Sequence, residues 1–172
     1  MDIASILASG SPLIQIHQAN ELEIYRQMWQ VEQRTPGPKV VVRAVRGWKC
    51  PTAEDFFTEV GAAWQFPHTL HEDWEGFGDD LSRLGWWPAD AYLFVVTRAV
   101  RFLAEEPAGA LKEFQSAMQH AYDRFARSNR WRGPRGFRAI LQTTAETEPL
   151  LRTRLKSARL NIDSPATLKK KR

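Results

Sequence analysis

The 172-residue sequence has one cysteine, Cys50. A lone cysteine excludes an intramolecular disulfide framework and a multi-cysteine zinc site, and it fits a reducing compartment. No stretch approaches the roughly 18 uninterrupted apolar residues of a membrane span, and the opening Met1-Asp2-Ile3-Ala4-Ser5 lacks the positive start of a secretory signal. A cytoplasmic protein is therefore expected. The chain also lacks a Gly-rich phosphate loop, a nucleophile elbow and a supported Cys/His pair, so neither an enzyme nor a cofactor is expected. Internal repeats are missing as well.

Basic residues are absent from one long stretch. Residues 51 to 81 carry Glu54, Asp55, Glu59, Glu72, Asp73, Glu75, Asp79 and Asp80 with no Lys or Arg, although the whole chain has a net charge of +4. The excess of positive charge lies elsewhere. Residues 145 to 172 hold Arg152, Arg154, Lys156, Arg159, Lys169, Lys170, Lys171 and Arg172 against three acids. Arg127, Arg130, Arg132, Arg135 and Arg138 form a second cluster. The field is strongly uneven along the chain.

Hydrophobic residues make up 43% of the sequence, with seven Trp and nine Phe, which is enough for a core. Pro12–Ile16 reads as a short strand, and Ala19–Arg34 as a helix whose faces Leu22, Tyr25, Met28 or Trp29, and Glu32 trace only loosely. Thr35-Pro36-Gly37-Pro38 then breaks the chain. This sets a boundary between an N-terminal extension, 1–38, and a domain at 39–143.

Within that domain the β-branched run Val40–Val45 predicts a strand. Thr52 with Asp55 three residues on predicts a capped helix over 53–64. Thr69-x-x-Glu72 supplies a capping box for a second helix running to about Leu84, with Trp74, Phe77, Leu81 and Leu84 as its apolar stripe. Tyr92–Val96 is continuously apolar, as in a strand covered on both faces. Leu111, Phe114, Met118 and Phe125 mark a long helix over 108–127, and Phe137–Leu141 the last strand. Strands separated by helices favour parallel pairing, so an α/β fold with a small three-stranded parallel sheet is expected. Residues 144–172 read as an amphipathic helix, Glu146–Leu160, and a disordered basic tail.

The second helix carries the functional signal. At 100° per residue Glu72, Glu75 and Asp79 lie opposite the apolar stripe. Glu72, Asp73 and Glu75 complement the helix N-terminus, but Asp79 lies too far along to do so. Gly76 and Gly78 each cost about 1 kcal/mol relative to Ala in a helix interior. Either a partner approaches the helix backbone there or the helix packs tightly against a neighbour.

In the order of these motifs the sequence resembles the barstar family, cytoplasmic inhibitors and immunity proteins whose known partners include secreted ribonucleases. Their pattern is a strand, a helix, a Pro-x-aromatic-aromatic-Gly-x-Asn-x-Asp-Ala-Leu-Trp-Asp stretch, a Trp-rich turn, a strand, a long helix and a last strand. Here the stretch from Pro67 to Leu81 reads without a gap, preceded by Phe56-Phe57 and followed by Trp86-Trp87. Thr69 and Leu70 stand for two aromatics, His71 for the glycine, Asp73 for the asparagine and Gly78 for a tryptophan. The resemblance covers about residues 39–143 and implies two or three packed layers.

It also implies a partner-binding surface of Thr69, Leu70, Glu72, Asp73, Glu75, Gly76, Gly78 and Asp79. Asp79 falls on the acid that in such inhibitors occupies the ribonuclease active site, and Glu75 on the acid one turn earlier. A further acid is implied on the long helix, Glu113 or Asp123. The expected partner is a basic protein such as a nuclease toxin, met by carboxylates that stand in for substrate phosphate.

Two other readings compete. Arg130-Trp131-Arg132-Gly133-Pro134-Arg135-Gly136-Phe137-Arg138 interleaves aromatics with arginines, as single-strand nucleic-acid binders do, and the lysine-rich tail adds charge. His68, His71, Glu72 and Asp73 have helical spacing, but a metal site is not expected, with His17 and His120 remote in sequence. Trp86-Trp87 reads as core and sheet cover rather than as a stacking platform.

Overall fold

The computed structural model describes residues 6, 10–33, 39–66, 73–127, 136–160 and 162. Four strands form one parallel sheet in the order β1-β4-β3-β2, where β1 is Ile14–Gln18, β2 Val40–Arg46, β3 Ala91–Thr97 and β4 Gly136–Thr143. The sheet thus has four strands rather than three. The addition is β1, whose Ile14 pairs with Ala139 and whose Gln18 pairs with Thr143. The segment read as an extension supplies an edge strand.

The helices are α1 (Glu21–Glu32), α2 (Ala53–Trp64), α3 (Trp74–Arg83), α4 (Ala108–Arg127) and α5 (Glu148–Ser157). Alternation along the strands divides the apolar side chains between two cores. Val41, Val45, Tyr92, Phe94, Val96, Phe137, Ala139 and Leu141 point to the core shared with α2, α3, α4 and α5. Val40, Val42, Leu93, Val95 and Ile140 point to the other, covered by Ile24, Met28 and Val31 of α1. The central β3 is buried along its whole length, as its unbroken apolar run implies.

On α1 the side facing the sheet is Ile24, Met28 and Val31, whereas Leu22 is 71% and Trp29 64% exposed. Of the residues that loosely traced its faces, Met28 meets the sheet, whereas Leu22 and Trp29 do not. With apolar residues on both sides of α1, the helical period does not tell which side the sheet takes.

Phe56 on α2 is the hub of the larger core, touching Phe57, Trp74, Phe77, Phe94, Phe102 and Phe114 with ring centroids 5.0–6.4 Å apart. Such tilted and edge-on pairs contribute beyond their buried area. Trp86 and Trp87 cover the neighbouring rim. Trp86 Nε1 donates to the Trp64 carbonyl at 3.2 Å, and the Arg43 guanidinium lies 3.9 Å from the centroid of Trp87.

The β2 edge is protected by acids. Glu32 accepts from the Val42 backbone N–H at 3.0 Å, and Glu59 accepts from the Arg46 side chain at 2.5 and 2.8 Å. Charged groups on an exposed edge discourage strand addition. Just beyond β2, Gly47 is required, because a Cβ there would lie 2.6 Å from the Thr97 carbonyl oxygen. At the other end of the chain Leu151 and Leu155 bury α5. Its Arg154 donates to the carbonyls of Val100, Phe102 and Leu103 at 2.7–3.0 Å.

Candidate functional site

The start of α3 differs from the sequence expectation. The helix begins at Trp74 and its N-cap is Asp73, whose Oδ1 accepts from the Gly76 backbone N–H at 2.7 Å. Asp has the short acceptor that an N-cap needs, so the helix starts at Trp74 rather than just after Thr69 as expected. Thr69, Leu70 and Glu72, together with His68 and His71, lie outside the described residues. Asp73 is exposed, but its carboxylate is committed to the cap.

Phe77 and Leu81 are buried as the apolar stripe of α3, and Leu84 is buried just past its end. Burial extends further round the helix, to Gly76, Gly78, Asp80 and Ser82. Gly78 sits against α4. A Cβ on it would lie 3.4 Å from Ala117 Cα, 3.5 Å from Ala117 Cβ and 3.8 Å from His120 Cβ. These are ordinary van der Waals distances, so Gly78 packs against α4 without excluding a methyl group, and it also lines the cleft between the two helices.

Where the helices diverge they leave a cleft of about 220 Å³, lined by Trp74, Glu75, Gly78 and Asp79 from α3 and by Glu113, Ser116, Ala117 and His120 from α4. Glu75, Glu113 and His120 are exposed and Asp79 is partly so. Trp74 stacks on Phe56, with centroids 5.4 Å apart and planes inclined by 20°, so the core supports this wall. Of the two acids on the long helix, Glu113 is the one that lines this cleft. Asp123, one face away, accepts from Gln119 at 2.8 Å and pairs with Arg127 at 3.8 Å.

Asp79 is not a bare charge. Its Oδ2 accepts from Arg83 at 3.3 Å on its own helix, and its Oδ1 lies 3.1 Å from His120 Nε2 on the other. Sequence reading set His120 aside as remote. Its position one turn beyond Ser116 on the face that packs at Gly78 was the only clue, and it needed the helix pairing to be read. Among the described residues no three His, Cys, Asp or Glu gather as metal ligands would.

The Arg-rich stretch is only partly visible. Residues 128–135 lie outside the described residues. Phe137 and Arg138, however, are buried in β4 and cannot stack or bind on a surface. Arg138 donates to the Phe137 carbonyl at 2.9 Å, its guanidinium lies 5.1 Å from the Tyr122 centroid, and burial pushes its pKa down. Cys50 is buried too. Desolvation first, then the charges of Glu59 and Asp55, push its thiol up to about 12, which suits packing rather than chemistry.

A parallel sheet with helices on both faces, carrying an open acidic cleft between two of those helices, defines a small α/β domain. The family comparison agrees. A family profile described as "Barstar (barnase inhibitor)" matches residues 40–142, and the chain belongs to the barstar family. That family consists of inhibitors rather than enzymes. No curated protein and no solved structure matches the chain. None of the helices in the described residues is long and apolar enough to cross a membrane.

Proposed function

We propose that the chain is a cytoplasmic inhibitor or immunity protein that binds a basic protein partner, a nuclease toxin, through α3 and the adjoining face of α4. The observation that carries this reading is the convergence of Glu75, Asp79 and Glu113, from two helices, on one surface cleft of a barnase-inhibitor-type domain. Nuclease active sites bind RNA phosphates with Arg, Lys and His. A row of carboxylates offers those groups the same charge and acceptor geometry without a bond that can be cleaved.

Capture provides the test. With the full chain as bait in lysate or culture medium of the source cells, a basic nuclease should be retained and its RNA cleavage should stop on binding. Asp79→Ala should lose both effects. Retention that ignores Asp79→Ala and Glu75→Ala, or salt-sensitive retention of RNA in place of a protein, would overturn the reading.

A further inference from the structure

Both oxygens of Asp79 are engaged by side chains of the chain itself, Oδ2 by Arg83 and Oδ1 by His120. Arg83 is an i,i+4 neighbour and travels with α3. His120 reaches across from α4, so its imbalance of position is greater: the imidazole spans the cleft that a partner must enter. We infer that His120 is a specificity-determining residue that competes with the partner for Asp79, so that a cation binds the cleft only by displacing it. The inference rests on the reading of this cleft as the partner-binding site and adds how that site selects.

Exposure sets the strength of the competition. The side chains of His120, Asp79 and Arg83 are 53%, 46% and 60% exposed. A pair this wet is weak enough to yield yet able to cost a competitor up to about five-fold in affinity. The cleft carries Glu75 and Asp79 on α3 opposite His120, with Glu113 on its own helix, and Arg83 pairs with Asp79 from α3. His120 contacts Asp79 at 3.1 Å, so this is the contact that a partner of Asp79 must replace.

Geometry turns this competition into selection. A guanidinium offers two parallel N–H donors, one for the Oδ1 that His120 leaves and one for Oδ2 beside the 3.3 Å contact from Arg83. A lysine ammonium is a point charge and meets one of these oxygens with good geometry. His120 therefore penalises lysine more than arginine.

Calorimetry on the full chain with hexa-arginine and hexa-lysine at low ionic strength tests this, with circular dichroism confirming each fold. His120→Ala should bind hexa-lysine about two- to five-fold tighter and hexa-arginine by a smaller factor, narrowing the preference for arginine. His120→Gln, which keeps a donor, should stay near wild type. In an Asp79→Asn background His120→Ala should change nothing. Equal or weaker binding by His120→Ala, while Asp79→Asn still weakens both peptides, overturns the inference and leaves the acidic docking site standing. If Asp79→Asn changes neither peptide's affinity, the docking site falls and the inference with it.

Discussion

Gly78 and Ala117 meet closely enough that a Cβ on the glycine would stand 3.4 Å from the alanine Cα, which is ordinary van der Waals contact with nothing to spare. This contact sets the spacing of α3 and α4, and with it the width of the acidic cleft beside it. Gly78→Ala should be tolerated, because the helix-propensity gain of about 1 kcal/mol offsets the tightened contact. Gly78→Leu should cost about 1–3 kcal/mol by forcing the helices apart. Thermal unfolding of the two variants checks this; equal melting temperatures would mean that the helices adjust freely.

Asp79→Ala tests the site. Its carboxylate is 46% exposed and its pairs with Arg83 and His120 are surface pairs, so the fold should lose less than about 1 kcal/mol. Partner affinity should fall far more. Truncating one side of a desolvated charge pair costs about 2–5 kcal/mol, a range to which the barnase–barstar complex itself contributes, and the loss should appear as faster dissociation. Glu75→Ala and Glu113→Ala should cost less, and Glu54→Ala almost nothing. A surface-plasmon series on the captured partner would show the order.

Deleting residues 1–38 removes β1 and α1 and lays bare Val40, Val42, Leu93, Val95 and Ile140 on one sheet face. Burial of such side chains is worth about 1.5–3 kcal/mol each, so the truncated chain should lose its cooperative unfolding transition. Limited proteolysis of the full chain gives the complementary measurement. A protected fragment at 39–143 that unfolds cooperatively by itself would show that this segment is the autonomous unit and that the first 38 residues are accessory.

Cys50 makes the protein sensitive to alkali. Its folded value is pushed from the ordinary 9.0 up to about 12, so the folded state keeps the proton over a range in which the unfolded thiol loses it. A raised value contributes stability that is fully present below pH 9.0 and declines as pH rises towards about 12, by up to roughly 1.4 kcal/mol per pH unit. Urea unfolding of wild type and Cys50→Ala across this range should show the difference between them shrinking as pH rises. A constant difference would mean that the thiol is not protected. Thiol-labelling reagents should likewise react slowly with the native chain and fast in denaturant.

Much of the architecture was legible because buried strands and amphipathic helices leave periodic signals. The apolar run Tyr92–Val96 is the central strand, and Thr52 caps α2, accepting from the Asp55 N–H at 3.2 Å. Phe77, Leu81 and Leu84 are core as their spacing implied. The short strand near Ile14 was visible, but its place in the sheet was not, since parallel pairing with β4 joins residues more than a hundred positions apart. The helix start was read at Thr69, whereas the helix begins at Trp74 with Asp73 as its N-cap.

Local pattern alone pointed to parallel strands separated by helices and to an acidic island over residues 51 to 81, while the barstar family was suggested by resemblance in the order of motifs. The first two follow from short-range physics: backbone propensity, helical period and the placement of charge along the chain. Tertiary structure decided which face of α1 meets the sheet, that Arg138 is buried, that Gly78 lies against Ala117 of α4, and that Glu113 and His120 stand at the cleft with Asp79. Those outcomes depend on how α3 and α4 cross and how β1 pairs, and long-range packing leaves no periodic trace in the sequence of either partner.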